Sequence, residues 1–295
     1  MIKSLSILIP TYNNVCTGLA EALLAQAELL PGVACEILVA DDGSTDRATV
    51  EANRAINGMA NCRYMERTQN AGRAVIRNFL AQEARHEWLL FIDSNMEVTS
   101  PDYLSNYTNS AECDVVYGGY RIKTGQRALR HNLRYIFETA GAQNGNAMLR
   151  QANPYGDFHT SNFLIRRSVM LAHPFDGRFT SYGYEDVLFG KVLKENSIPI
   201  LHIDNPLGYG NFTDNASFIG KTEEACRTLH KFRNELRGYV RLLDLAERLE
   251  DWHLRTVCRR LYSLFGAPLR RRLTEGKPGI LLFNAYKLLY YIHLS

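Results

Sequence analysis

Short apolar runs alternate with longer amphipathic stretches over the first hundred residues of the chain. Residues 6–9, 35–40, 62–66 and 88–92 are mostly apolar runs of four to six residues, which are typical of buried strands. Residues 17–30, 47–56 and 73–84 carry apolar side chains at helical spacing, and Pro31-Gly32 ends the first of these helices. Strands that alternate with helices at this spacing predict βαβ crossovers. The pattern therefore predicts an α/β domain with a parallel sheet.

The pattern is less regular after residue 100. Residues 115–120, 163–165 and 198–203 predict three more strands, and residues 186–196 predict a helix. Residues 128–150 are partly helical in pattern and rich in Asn and Gly, as expected of a segment that covers a substrate. Residues 242–260 and 279–295 predict helices. We predict one domain over residues 1–220, with halves 1–98 and 99–220, and a helical region over residues 221–295.

Composition and charge exclude several classes of protein. Hydrophobic residues make up 46% and charged residues 22% of the 295 positions, which argues against a disordered chain. The six cysteines contain no C-x-x-C pair, which disfavours a zinc site. Residues 221–295 carry 15 basic and 8 acidic side chains, a net charge of +7. Because the whole chain has a net charge of +3, residues 1–220 carry −4, and the C-terminal region is distinctly basic.

Neither a secretory leader nor a membrane span is predicted from the hydropathy pattern. The apolar stretch before Pro10 has about five residues, fewer than a signal peptide needs. Uninterrupted apolar runs stay well below the ~18 residues of a membrane-spanning helix. We therefore expect a cytoplasmic protein.

Polar residues follow four of the predicted strands at the point where each strand ends. They lie at 11–13, 41–42, 70–73 and 93–95. Each cluster alone is typical of a turn, but ligands of open parallel sheets bind beyond the carboxyl ends of the strands. Four such clusters at one edge therefore favour a binding site. The first strand is not followed by G-x-G-x-x-G, and Gly220-Lys221-Thr222 lacks the first glycine of a P-loop, which disfavours both of those nucleotide sites.

Five motifs resemble those of the family 2 glycosyltransferases of GT-A fold. They are S-I-L-I-P-T-Y-N at 6–13, V-A-D-D-G-S-T-D at 39–46, N-A-G at 70–72 with Arg77-Asn78, F-I-D-S-N at 91–95 and G-Y-E-D at 183–186. The resemblance covers residues 4–205 and implies a three-layer α/β/α domain with a mostly parallel central sheet, followed by the helical basic region. It also implies inverting transfer of a sugar from a nucleotide-diphosphate donor, expected to be a UDP-sugar, to a hydroxyl acceptor.

The resemblance implies roles for residues on the donor side. Thr11 and Tyr12 would contact the base and ribose, with Tyr12 offering a flat apolar face. Asp41 and Asp42 would accept hydrogen bonds from the base or ribose, although Asp42 could instead cap the helix that follows. Arg73 would lie near the uracil or the phosphates, and the alternative is a solvated cation at the start of a helix.

A divalent metal is implied at Asp93-Ser94-Asn95, which occupies the Asp-x-Asp position of the family. There the carboxylates hold Mg²⁺ or Mn²⁺, which bridges the diphosphate and stabilises the leaving group. This sequence departs from the pattern, because Asn95 offers an amide oxygen without a charge. Relatives also often carry a metal-binding histidine near the strand at 198–203. His202 is the candidate, and a histidine packed into the strand is the alternative.

Glu185 and Asp186 match the acceptor-side Glu-Asp motif. An inverting transfer is a single displacement and needs one base to take the proton from the acceptor hydroxyl. By resemblance Asp186 is that base and Glu185 binds the acceptor. The acceptor would be a glycan or a lipid-linked saccharide, in the synthesis of a cell-surface polysaccharide or glycoconjugate. The alternative is that Asp186 only caps the helix at 187–195.

Other interpretations remain open for the basic region and for the function. The C-terminal helices could pack on the catalytic domain, or contact the inner face of the membrane through their cationic side chains. Nucleic-acid binding is disfavoured, because no recognised module accompanies the basic residues. A nucleotidyltransferase is disfavoured, because no Gly-rich loop with a basic residue follows the first strand. A degenerate, non-catalytic module that binds a sugar nucleotide or a partner is favoured by Asn95 and disfavoured by the intact Glu185-Asp186 pair.

Overall fold

The computed structural model of the chain describes residues 2–110, 112–141 and 146–294. These residues form two compact units. The first contains the described residues within 1–122, 144–180 and 185–210, and the second contains those within 123–143, 181–184 and 211–295. The division at residue 220 stays a prediction. Part of the predicted segment 128–150, residues 142–145, lies outside the described residues.

The first unit contains the described strands. In chain order they are β1 (Ser4–Thr11), β2 (Ala34–Asp41), β3 (Cys62–Glu66), β4 (Trp88–Ile92), β5 (Met96–Glu97), β6 (Val115–Tyr117), β7 (Tyr120–Ile122), β8 (Asn162–Arg166), β9 (Ile200–His202) and β10 (Leu207–Tyr209). Seven of them form a central sheet in the order β3-β2-β1-β4-β8-β6-β9. β8 pairs antiparallel with both neighbours, and the other pairs are parallel. The predicted α/β fold with a mostly parallel sheet is confirmed.

The run at 115–120, predicted as one strand, is divided between two sheets. β6 ends at Tyr117, and β7 joins a smaller sheet of order β5-β10-β7. The chain turns at Gly119, whose φ of 80° lies in the left-handed region. A Cβ atom there would lie 2.9 Å from the guanidinium of Arg150. Two consecutive glycines therefore end a strand that the apolar pattern alone would continue.

Helices flank the sheets in the first unit and make up most of the second. In chain order they are α1 (Thr17–Ala27), α2 (Arg47–Arg54), α3 (Arg73–Glu83), α4 (Tyr103–Thr108), α5 (Leu133–Gly141), α6 (Ala147–Gln151), α7 (Arg167–Ala172), α8 (Glu185–Glu195), α9 (Asn215–Lys231), α10 (Arg233–Leu236), α11 (Arg241–Asp251), α12 (Arg255–Glu275) and α13 (Ile280–Leu294). Asp46 caps α2 by accepting a hydrogen bond from the Ala48 amide at 3.1 Å.

The core of the second unit is formed by α5, α9, α12 and α13. Its buried members are Leu133, Phe218, Ile219, Leu273, Phe283 and Tyr286. The predicted helical C-terminal region is confirmed, with a break at 252–254 between α11 and α12. Among the residues described, none of the helices combines the length and the apolar character that crossing a membrane requires.

Candidate active site

The strand-end residues predicted from the sequence lie at one edge of the central sheet. Thr11 ends β1 opposite Asp41, which ends the parallel strand β2. Asp93 follows β4, which is parallel to β1. Asn162 begins the antiparallel strand β8 opposite Ile92, so it lies at the same edge. This edge is where the topology of an open sheet places a ligand site.

Asn13 joins the loops that follow β1 and β2. Its side-chain oxygen accepts hydrogen bonds from the amides of Thr45 and Asp46, both at 2.9 Å. The backbone N–H of Asn13 donates to the hydroxyl of Ser44 at 2.7 Å. Asn13 has a φ of 49°, a left-handed conformation that asparagine tolerates better than most residues. The two loops are therefore held as one surface.

Within the first loop, Thr11 and Tyr12 differ in what they can contact. Thr11 is buried, and its hydroxyl donates to the Asn14 carbonyl at 2.9 Å. Tyr12 is 44% exposed. Tyr12 therefore presents its ring to solvent, whereas Thr11 shapes the loop that carries it.

Asp41, the last residue of β2, is buried. Its carboxylate accepts hydrogen bonds from the loop that follows β2 and from the neighbouring strand β3. Its Oδ1 accepts a hydrogen bond from the Ser44 amide at 2.6 Å, and its Oδ2 accepts one from the Tyr64 hydroxyl at 2.9 Å. Burial, together with the neighbouring Asp41 carboxylate, raises the pKa of Tyr64, so Tyr64 keeps its proton and remains a donor. In this structure Asp41 organises the loop at the sheet edge.

Asp42 organises a different loop, the one before α3. Its carboxylate accepts hydrogen bonds from the amides of Ala71 at 3.1 Å and Gly72 at 2.8 Å, and Arg67 lies at 3.2 Å. Burial raises the pKa of Asp42, although these donors act against the shift. The alternative that Asp42 caps the following helix is wrong, because Asp46 is the cap of α2.

Arg77 on α3 connects two predicted site residues that are far apart in the sequence. It is 1% exposed. Its Nη2 donates to Asp93 Oδ1 at 2.8 Å, and its Nη1 donates to Glu185 Oε1 at 3.3 Å. Arg73 lies one turn earlier, half exposed, with Nη1 at 3.9 Å from the same Glu185 oxygen. The carboxyl end of β4 and the start of α8 are therefore joined through one buried guanidinium.

Glu185 is the buried member of the Glu-Asp pair. Its side chain is 4% exposed. Burial and the neighbouring Asp186 carboxylate raise the pKa of Glu185, while Arg73 and Arg77 oppose the shift. The chain reaches this residue through two left-handed positions, Gly183 with φ 102° and Tyr184 with φ 68°. A tyrosine in that region is uncommon, and such backbone strain is often found next to functional groups.

Asp186 is more exposed and carries the opposite pKa shift. Its Oδ2 lies 3.5 Å from His159 Nδ1, and its Oδ1 accepts a hydrogen bond from the Val187 amide at 2.9 Å. Burial alone would raise the pKa of Asp186, but the hydrogen bond and charge of His159, the Val187 amide and Arg77 together lower it. Asp186 is thus an ionised carboxylate beside a histidine. The sequence offered no signal for His159, which is 27 residues away.

Asn162 is a second residue that carried no sequence signal. It is fully buried, and its Oδ1 accepts hydrogen bonds from the hydroxyls of Tyr103 at 2.6 Å and Tyr107 at 2.8 Å. Its Nδ2 donates to the carbonyls of Gly119 at 2.7 Å and Asn205 at 3.0 Å. One side chain therefore satisfies four polar groups at the junction of the two sheets.

Asp93 and Asn95 offer oxygen ligands for a divalent cation, and His202 does not join them. Arg77 occupies Asp93 Oδ1 and leaves Oδ2 for another partner. One carboxylate and one amide oxygen fit Mg²⁺ or Mn²⁺, which commonly take one or two carboxylates and complete their coordination with substrate phosphates. Within the described ranges, no cluster of three His, Cys, Asp or Glu side chains could hold a metal by itself. His202 contacts Pro154 and Arg150 through its two ring nitrogens, which supports the packed alternative.

Comparison with known proteins decides the family. The model of glycosyl transferase family 2 matches residues 6–172, more than half of the chain. The chain belongs to glycosyl transferase family 2. The predicted resemblance is confirmed, and the protein is a glycosyltransferase.

Solved structures of other glycosyltransferases share its fold. S. aureus TarS 1-349 in complex with UDP-GlcNAc is 17% identical, with a TM-score of 0.51 over 99% of this chain and 91% of that chain. The mannosyltransferase PcManGT from Pyrobaculum calidifontis, in complex with GDP-Man and Mn²⁺, is 14% identical, with a TM-score of 0.54 over 98% of this chain and 84% of that chain. At these identities the likeness shows the fold alone. No curated protein sequence matches the chain significantly.

The predicted site residues of this glycosyltransferase fall into two groups. Asp93 and Glu185 contact Arg77, and Arg73 lies near the same Glu185 oxygen. Asn95 follows Asp93 after β4, and Asp186 follows Glu185 on α8. The other group lies at the ends of β1 and β2 and comprises Thr11, Tyr12, Asp41 and Asp42. Contacts of either group with a ligand stay predictions.

Proposed function

We propose that this glycosyltransferase transfers a sugar, with inversion, from a UDP-sugar to a hydroxyl of a glycan or lipid-linked saccharide, in the cytoplasmic synthesis of a cell-surface polysaccharide or glycoconjugate. The observation that carries the proposal is the Arg77 bridge between Asp93 and Glu185. A single displacement requires the donor diphosphate and the acceptor hydroxyl to meet, and Arg77 joins a residue from each proposed side. TarS in complex with UDP-GlcNAc and PcManGT in complex with GDP-Man support a nucleoside-diphosphate sugar as donor.

The proposed base is Asp186. As the acceptor oxygen forms a bond to the anomeric carbon, its proton passes to the Asp186 carboxylate. The bond from that carbon to the diphosphate oxygen breaks, and the nucleoside diphosphate leaves with the electron pair. Attack from the face opposite the leaving group inverts the anomeric centre. The lowered pKa of Asp186 keeps the carboxylate ionised, which is the state in which a base can accept the proton.

Glu185 is proposed to act at the acceptor and through its arginine partners. The family resemblance assigns it to acceptor binding. Its burial and its contacts with Arg73 and Arg77 support a further, positioning role, because its charge holds both guanidinium groups. Arg73 is half exposed and is the group proposed to reach the donor phosphates.

On the donor side, Tyr12 is proposed to stack on the nucleotide base, with Thr11, Asp41 and Asp42 forming the surrounding loops. Asp93 and Asn95 would hold Mg²⁺ or Mn²⁺. When bound, the metal neutralises negative charge on the diphosphate leaving group. PcManGT in complex with Mn²⁺ supports this assignment.

Thermal denaturation of the purified chain with UDP, UDP-sugars and GDP-sugars, with and without Mn²⁺, tests the proposal. A ligand that binds the native state raises the midpoint, by an amount that corresponds to about 2.7 kcal/mol at a hundredfold excess over Kd. We expect a metal-dependent shift with UDP and a UDP-sugar, which Asp93→Asn abolishes and Glu97→Gln on the neighbouring strand β5 preserves. No shift with any nucleotide would contradict the proposal and favour a non-catalytic module that binds a partner. A shift without release of UDP in the presence of acceptors would contradict the catalytic part alone.

A further inference from the structure

An exposed apolar stripe runs along α12 in the second unit. Its members are Val257, Leu261, Leu264 and Phe265, which are 51%, 40%, 69% and 52% exposed. Their spacing of i, i+4, i+7 and i+8 places them on one face of the helix. The buried residues of α12 form a different seam and comprise Cys258, Gly266 and Leu273. The α12 stripe therefore does not pack into the core of the second unit. An exposed apolar surface of this kind is often a binding site.

The charge of α12 is strongly positive. The helix contains six arginines and one acidic residue, Glu275. At 100° per residue, Arg260 and Arg271 border the α12 stripe on the side away from the buried seam, and both are exposed. Arg271 forms an exposed ion pair with Glu275 at 2.9 Å. An apolar face is therefore edged by cations that point to solvent.

Two more exposed apolar side chains precede α12 in the sequence. Trp252, three residues before α12, is 66% exposed, and Leu254 is 38% exposed. Tryptophan combines a large apolar ring with one polar N–H group, and it is enriched where apolar and aqueous phases meet. Exposed tryptophan, leucine and phenylalanine side chains beside arginines are the combination found on helices that lie in a membrane interface.

We propose that the α12 stripe binds the surface of a bilayer that contains anionic lipids. The apolar side chains would enter the boundary between headgroups and acyl chains, and the arginines would contact lipid phosphates. The positive charge of α12 favours an anionic bilayer, rather than a second copy of the chain, as the binding partner of the α12 stripe. Two copies joined through the α12 stripe would bring their arginines together, whereas an anionic surface complements them. This inference concerns the second unit and does not depend on the proposed sugar transfer.

Flotation of the full chain with vesicles measures the binding. We expect the chain to float with phosphatidylcholine vesicles that contain about a quarter phosphatidylglycerol, and to bind pure phosphatidylcholine vesicles at least about tenfold more weakly. High salt should weaken the binding, because it screens the arginines. The double variant Leu264→Glu, Phe265→Glu should bind at least about tenfold more weakly, since it removes two apolar contacts and adds repulsion. The matched control is Leu29→Glu, a 79% exposed leucine of the first unit, which should bind as the wild type does.

Two further variants separate apolar contact from charge. The chain has two tryptophans, and Trp88 is buried, so Trp252 is the one that can report on the membrane. Its emission should shift to shorter wavelength with anionic vesicles, and Trp252→Phe should abolish that shift. The double variant Arg260→Gln, Arg271→Gln should keep the wild-type fold, because both side chains are exposed, and lose roughly fivefold in binding per arginine.

Three results would overturn the inference. The first is equal flotation of the wild type and of the Leu264→Glu, Phe265→Glu variant. The second is equal binding to neutral and anionic vesicles. The third is a dimer in light scattering that this variant abolishes, without any vesicle binding, because the α12 stripe would then be an interface between copies of the chain.

Discussion

Arg77→Met tests how the buried network at the sheet edge is held together. The substitution keeps an unbranched side chain of similar length but removes the charge and every hydrogen-bond donor. Glu185, 4% exposed, then loses its buried cationic partner, and Arg73 remains at 3.9 Å from its Oε1. Removing one partner of a buried ion pair costs about 3–5 kcal/mol of unfolding free energy. Since native proteins are stable by about 5–15 kcal/mol, this is a large fraction of the total.

Urea denaturation followed by the fluorescence of buried Trp88, on β4 of the first unit, measures the loss. The double variant Arg77→Met, Glu185→Gln should recover about 1–3 kcal/mol, because it also removes the unpaired charge. Arg54→Met is the matched control. Arg54 also bridges two carboxylates, those of Glu51 and Glu66, but it is half exposed, and its loss should cost less than about 1 kcal/mol.

The pH dependence gives a second test of the same reasoning. Without Arg77, the already raised pKa of Glu185 should rise further. The native state of Arg77→Met then binds more protons than the unfolded state, so its stability deficit should shrink as the pH falls from about 8 to about 5. If Arg77→Met and the double variant Arg77→Met, Glu185→Gln lose the same free energy of unfolding, and that loss does not depend on pH, then the unpaired charge of Glu185 is not its cause.

Three other substitutions test His159, Asn95 and Asn162. His159→Asn removes a group that lowers the pKa of Asp186, so burial should dominate and the acidic limb of the pH profile of kcat should move to higher pH. Asn95→Asp adds a second carboxylate, and the Mn²⁺ concentration for half-maximal activity should fall roughly tenfold. Asn162→Leu removes four buried hydrogen bonds, those of two tyrosine hydroxyls and two carbonyls, and urea denaturation should show a loss of at least about 3 kcal/mol.

Each of these expectations has a result that contradicts it. An unchanged acidic limb in His159→Asn would mean that His159 does not influence the pKa of the proposed base, Asp186. An unchanged Mn²⁺ requirement in Asn95→Asp would mean that residue 95 is not a ligand of the metal. A loss of less than about 1 kcal/mol in Asn162→Leu would mean that water replaces the side chain at the junction of the sheets.

Local patterns were sufficient to predict the strands β1 to β4 and the helices α1 to α3. β4 begins and ends where its apolar run does, and all five of its residues are buried, as expected of a strand covered on both faces. Asp46, directly before the predicted helix at 47–56, caps α2. Asp93 and Asp41 lie at one edge because parallel strands share their direction. These features depend on residues that are close in sequence or on strand direction alone.

Contacts between distant residues were not predictable from the pattern. Arg77 and Glu185 are 108 positions apart, and the sequence showed Arg77 only as part of a motif. The antiparallel direction of β8 and the pairing of β5, β7 and β10 depend on chain reversals that carry no hydrophobic period. His159 reaches Asp186 for the same kind of reason: the fold, rather than the spacing, brings them together.

Asp186 is proposed to take the proton from the acceptor hydroxyl. Asp186→Asn keeps the shape of the side chain but cannot accept that proton. The rate of UDP release from a UDP-sugar, with water or a panel of saccharides as acceptor, should fall by about 10²–10⁴-fold, while the Kd for the UDP-sugar stays close to that of the wild type. Retained turnover in a folded Asp186→Asn chain that binds the donor would contradict the claim.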